Sequence, residues 1–70
     1  MRNKSVGKPS VLSVQKDGRQ WVVQETSTGS ITEVYRGNRA GMIRYLANRK
    51  GVAQTSLTDI HEGSRLHVNA

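Results

Sequence analysis

Seventy residues with eleven Lys and Arg against five Asp and Glu carry a formal charge of +6, and the chain has no cysteine. A chain of this length buries only about 60% of the surface its unfolded form exposes, which leaves room for one small core and excludes a second domain. The lack of cysteine excludes a disulfide framework. A hydrophobic fraction of 34% with 23% charged residues points to a folded domain of small margin, with homo-oligomer formation one route to added stability.

Residues 1–10 contain Arg2, Lys4 and Lys8 with Gly7 and Pro9 and no acid, and read as a flexible basic tail ahead of a single α+β domain at 11–70. The stretch after the basic start is too short and polar for a signal peptide, and no apolar run approaches the ~20 residues of a membrane span. The expectation is a cytoplasmic protein that makes no use of a membrane. Gly37 and Gly41 have the spacing of a membrane-helix dimer motif, without the apolar context that motif needs.

Residues 11–15 alternate, with Leu12 and Val14 on one face, and an Asp17-Gly18 turn leads into a second strand rich in β-formers at 20–26. A turn through Thr28 and Gly29 opens a third strand at 31–36, giving a three-stranded antiparallel meander. In that third strand Ile31 and Tyr35 share one face while Val34 sits on the other, a conflict that a bulge would reconcile. After Gly37 the period changes to that of a helix over about 39–50, with Asn38 as its cap and Gly51 at its end. Ala40, Ile43, Leu46 and Ala47 form its apolar stripe, Met42 flanks it, and Trp21 is the largest piece of the core beneath. The opposite sheet face carries Ser13, Gln15, Gln20, Gln24 and Thr26. Residues 56–68 read as two further short strands around a Gly63-Ser64 turn that pairs His61 with Leu66, or as a short helix capped by Ser56 and Asp59. The expected fold class is therefore α+β: a small antiparallel sheet, a three-stranded meander with C-terminal strands, packed on one α-helix.

The residue inventory argues against an enzyme. There is no cysteine, the two histidines fall on opposite faces of the expected hairpin, and the five acids are scattered among turns and strands, so neither a nucleophile with its base nor a metal or other cofactor site is expected. The placement of charge is more informative than its total. Residues 1–10 carry +3, residues 11–37 are neutral, residues 38–51 carry +4 from Arg39, Arg44, Arg49 and Lys50, and residues 52–70 carry −1. The excess sits on the tail and the helix, and no acid on the helix offsets it. A helix and tail of this kind match a phosphate backbone, where each neutralised phosphate releases counterions.

The run Lys16-Asp17-Gly18-Arg19-Gln20-Trp21-Val22-Val23, followed by a strand ending Val34-Tyr35-Arg36 and then a helix, resembles the AP2-like, arm-type DNA-binding domains of phage and transposon integrases. The similarity covers about residues 11–50. It implies a three-stranded sheet lying in the major groove, with Gln15, Lys16, Arg19, Gln20, Gln24 and Arg36 facing DNA. The order of strands and helix is also similar in architecture to small phage proteins that bind and inhibit host RNA polymerase. Two expectations follow. One is a small, basic, non-enzymatic regulatory protein of transcription that binds nucleic acid, duplex DNA foremost. Arg2, Lys4, Lys8, Arg39, Arg44, Arg49 and Lys50 would lie on phosphates, with Lys16, Arg19 and Arg36 as a second set. The alternative is docking on an acidic protein surface such as an RNA polymerase subunit, with exposed Tyr and Arg as anchors.

Overall fold

A computed structural model describes residues 10–52 and 57–68. The order of elements is β1 (Ser10–Asp17), β2 (Gln20–Ser27), β3 (Ser30–Gly37), α1 (Arg39–Asn48), a 3-10 turn at Leu57–Asp59, and β4 (Arg65–Val68). All four strands join one antiparallel sheet in the order β3-β2-β1-β4. The α+β class and the meander are as the alternation of residues predicts. No helix among the described residues is long and apolar enough to cross a membrane.

The first hairpin turns on Gly18 and Arg19, with Asp17 and Gln20 as the flanking pair, so the loop lies one residue later than an Asp-Gly turn. Gly18 has φ of 64°, the left-handed conformation that two-residue hairpin loops require and that glycine adopts without a steric cost. In β3 the register against β2 shifts between Val23 and Gln24, so that Tyr35 pairs with Val23, Glu33 pairs with Gln24, and Val34 is the extra residue of a bulge. The bulge resolves the conflict in this strand. Val34 and Tyr35 both pack on the core, while Ile31 is left on the outer face, 67% exposed.

The register sorts side chains into two faces with period two. Ser10, Leu12, Val14 and Lys16 of β1 share the helix side with Trp21, Val23 and Glu25 of β2 and with Leu66 and Val68 of β4. Helix α1 packs over β2 and β3, and the segment around the 3-10 turn supplies Leu57 and Ile60 to the same core. Leu12, Val14, Val23, Met42 and Leu46 are the largest fully buried side chains.

Four details differ from the pattern reading. Met42 and Leu46, four residues apart, are the buried positions of α1, whereas Ala40 and Ala47 are exposed, so the helix is rolled toward Met42. The large side chains gain more from burial than two methyl groups can, and Ile43 fits either stripe. Trp21 is half-buried at the margin of the core rather than its centre, because it lies at the end of β2, where Gly37 and the start of α1 leave less to cover it. The helix ends at Asn48, with Arg49 in extended geometry as its C-cap and Gly51 two residues beyond at φ 85°. Finally, residues 57–68 give one strand and a 3-10 turn, not a hairpin. Leu66 pairs with Leu12 of β1 instead of His61, since the apolar partners lie in β1.

Candidate nucleic-acid interface

Asn38 stands in extended geometry, and its side-chain oxygen accepts a hydrogen bond from the Gly41 N–H at 2.7 Å, the N-cap that its sequence position predicts. The Tyr35 hydroxyl donates to the Asn38 carbonyl at 3.1 Å, and a Cβ on either Gly37 or Gly41 would run into that hydroxyl. The two glycines thus hold a notch for Tyr35, which is a packing role for their spacing. Tyr35 and Tyr45 stack on one another with centroids 5.8 Å apart, and the Tyr45 hydroxyl accepts from Arg49 at 2.7 Å. Both rings are committed to the seam between β3 and α1 instead of standing outward.

The ten basic positions singled out by sequence separate into distinct environments. Arg2, Lys4 and Lys8 lie outside the described residues. Arg36 projects from the outer sheet face and is held by acids: one Nη donates to Asp17 at 3.0 Å and to Gln20 at 2.9 Å, while Nε and the other Nη donate to Glu33. Hydrogen bonding to Glu33 and then Asp17 raises the guanidinium pKa still further, and the Arg36 contact holds Glu33 below the usual carboxylate range. Arg36 pairs across β2 with Val22, which is 3% exposed although it lies on the solvent side of the sheet. The Arg36 stem and the polar residues beside it form an open depression of about 310 Å³ with Val22 at its floor. There Gln15 donates to Gln24 at 3.1 Å. Of the set that the integrase resemblance implies, Gln15, Gln20, Gln24 and Arg36 therefore hydrogen-bond among themselves and to acids on this face.

Arg49 is also engaged. It donates to Glu25 at 2.7 Å, and Ser10 donates to the same Glu25 oxygen at 2.6 Å. Both partners are about three-quarters buried, with side chains 25% and 23% exposed. The Ser10 hydroxyl and then the Arg49 guanidinium hold Glu25 below the usual carboxylate range, and Glu25 in turn raises Arg49. This pair ties the C-terminal end of α1 to the sheet. The sequence pattern does not show it, because its members stand 24 positions apart and on different elements.

The remaining helix-side cations form the candidate interface. Arg44 is exposed and points directly away from the buried Met42 and Leu46 positions, and Lys50 is exposed just past the end of α1. Lys16 lies with its Nζ 5.2 Å from the centroid of Trp21, and the Arg39 guanidinium carbon is 5.8 Å from the same centroid. Arg39 also donates to the Ile60 carbonyl at 2.8 Å. Arg19 is exposed in the first hairpin turn, three residues after Lys16.

Counted over the described residues, the two faces differ in charge. Outward-facing Asp17 and Glu33 balance Arg36 and Arg65, and the exposed turns hold Arg19 against Glu62. On the helix side, with Arg49 balanced by Glu25, Lys16, Arg39, Arg44 and Lys50 stand against Asp59 of the 3-10 turn. His61 sits in the turn before β4, where its Nδ1 is 2.8 Å from the Glu62 carbonyl, and His67 is on the outer face opposite Val11. Among the described residues no group of three or more His, Asp or Glu is placed to hold a metal ion. No family model, curated protein or solved structure matches this chain.

Proposed function

We propose that this chain is a small, non-enzymatic nucleic-acid-binding protein of regulatory type that engages the phosphate backbone, of DNA in the first instance, through its helix side. The observation that carries the reading is the segregation of charge. The acids of the sheet neutralise Arg36 and Arg49, while the surplus of the described residues lies along α1, where Lys16, Arg39, Arg44 and Lys50 stand against Asp59 alone. Arg44 and Lys50 are the primary phosphate contacts. Arg2, Lys4 and Lys8 add to the same attraction from the N-terminal segment, and Arg19 extends it at the first hairpin turn. Contacts of this type fix position and leave base sequence unread.

The test is fluorescence anisotropy of labelled DNA titrated with the protein at about 50 and about 200 mM salt, the range over which phosphate-driven binding weakens steeply. Binding that collapses at the higher salt supports the reading, and no binding at the lower salt refutes it. The second reading, docking on an acidic protein surface, draws support from Ile31, which stands 67% exposed on edge strand β3. In that case Ile31→Ser weakens capture of the protein partner, and replacing Arg2, Lys4 and Lys8 by Gln leaves it intact.

A further inference from the structure

We infer that the Trp21 end of the helix side is a seat for an unpaired base, so that the nucleic acid this chain prefers is single-stranded at that point. The inference rests on the phosphate-binding reading above and names the form of nucleic acid it takes. Trp21 is the second residue of β2 and pairs with Lys16 of β1 on one side and Gly37 of β3 on the other. Helix α1 starts at Arg39 and buries Met42 and Leu46, so its packing covers only part of the indole. The residue remains half-buried at the margin of the core.

Two cations gather on this one ring, the Lys16 Nζ at 5.2 Å and the Arg39 guanidinium carbon at 5.8 Å from its centroid. Neither placement follows from helix or strand stability. Arg39 occupies the first turn of α1, where the helix dipole disfavours a positive charge, and its head group turns away to the Ile60 carbonyl and the indole. Lys16 is kept from its neighbour Asp17 by strand alternation, because Asp17 points to the outer face and is bonded to Arg36 there. Once Lys16 swings aside, this place offers both halves of a nucleotide a partner: the ring for the base and the lysine for a phosphate.

An exposed cation held over an aromatic ring is bound only weakly. Lys16, on a flexible stem, therefore gives up the indole for a phosphate at little cost, and a base takes the vacated face. A base inside a duplex has both of its faces covered by its neighbours and presents only its edges in the grooves. A recessed indole at the margin of a core meets the face of a base only when that base is unstacked.

Trp21 is the single tryptophan of the chain, so its emission reports this place alone. The experiment titrates the full-length protein at low salt with an oligothymidine strand and with a duplex of equal phosphate number. Indole emission and the anisotropy of the labelled DNA are followed together. The expected result is quenching by the single strand, no quenching by the duplex, and single-strand affinity higher by roughly fivefold or more, the low end of what one base stacked on an aromatic side chain contributes. Trp21→Phe, which keeps a ring in the core, retains the preference. Trp21→Leu, with its fold checked by circular dichroism, brings single-strand affinity down to the duplex value. Unchanged emission while both DNAs bind, or equal quenching by the duplex, overturns the seat and leaves phosphate binding standing. Absence of binding to either DNA overturns both.

Discussion

Both faces of the sheet carry arginines and acids, yet they arrive at different electrostatic states, the outer face neutral and the helix side positive. On the outer face Arg36 is shared between Asp17 and Glu33 and covers Val22, so its charge is consumed in organising the surface. On the helix side one cation, Arg49, is consumed in the same way by Glu25, while Lys16 and Arg39 lie at the Trp21 end of α1, Arg44 is exposed on its outer face and Lys50 is exposed just past its C-terminal end. The number of basic residues is thus a poor guide to a binding surface. What matters is which of them an acid reaches across the sheet, and strand alternation decides that: it sends Asp17 and Glu33 outward and Glu25 inward to the end of α1.

The largest expected effects test the helix side. Replacing Arg44 and Lys50 together by Glu weakens DNA binding by roughly a hundredfold at low salt, because two favourable phosphate contacts become two repulsive ones. Next comes the seam that holds α1 in place. Gly41→Ala forces the Tyr35 ring to move and costs about 1–3 kcal/mol in thermal or denaturant unfolding, despite the better helix propensity of alanine. If the hydroxyl is the obstacle, the double variant Gly41→Ala with Tyr35→Phe recovers most of that loss, as a double-mutant cycle measures.

The Glu25 pair gives a smaller, pH-dependent effect. Its carboxyl lies below the usual range in the folded chain, so its contribution to stability is complete above about pH 4–5. That contribution is lost as the pH falls through the depressed folded value. In Glu25→Gln the melting temperature at neutral pH falls, by the equivalent of about 1 kcal/mol, and its decline on acidification becomes shallower. The smallest effect belongs to the outer face. Arg36 and its partners are solvent-exposed, and Arg36→Gln changes stability by less than about 1 kcal/mol and leaves DNA affinity at low salt within about twofold of the native value. A large loss of affinity in that variant would move the interface to the sheet.

Much of the fold was legible in the residues. Alternation in β1 and β2 places Leu12, Val14 and Val23 inside and Gln15 and Gln24 outside, Asn38 marks the helix start, and the misfit of Ile31, Val34 and Tyr35 marks a bulge. The parts that were not legible share a cause, which is dependence on distant residues. Val22 has the period of an exposed residue and is buried between its cross-strand neighbours Gln15 and Arg36, and the roll of α1 toward Met42 depends on what the sheet and the 3-10 turn offer it. For the candidate site, sequence gave the segment that carries the surplus charge. It could not distinguish Arg44, exposed on the helix, from Arg49, five residues later and bound to Glu25. Nor could it bring Arg39 to Trp21, which requires the helix to begin where β3 ends.

On the proposal made above, the helix side, not the sheet face, meets the phosphates. The most direct measurement is the slope of log affinity against log salt for the native chain, for Arg44→Ala with Lys50→Ala, and for Arg36→Gln with Arg65→Gln. The helix-side pair is expected to lower the slope by roughly two, since each phosphate contact contributes about 0.9, while the sheet-face pair leaves it unchanged. A slope that falls for the sheet-face pair and stays constant for the helix-side pair contradicts it.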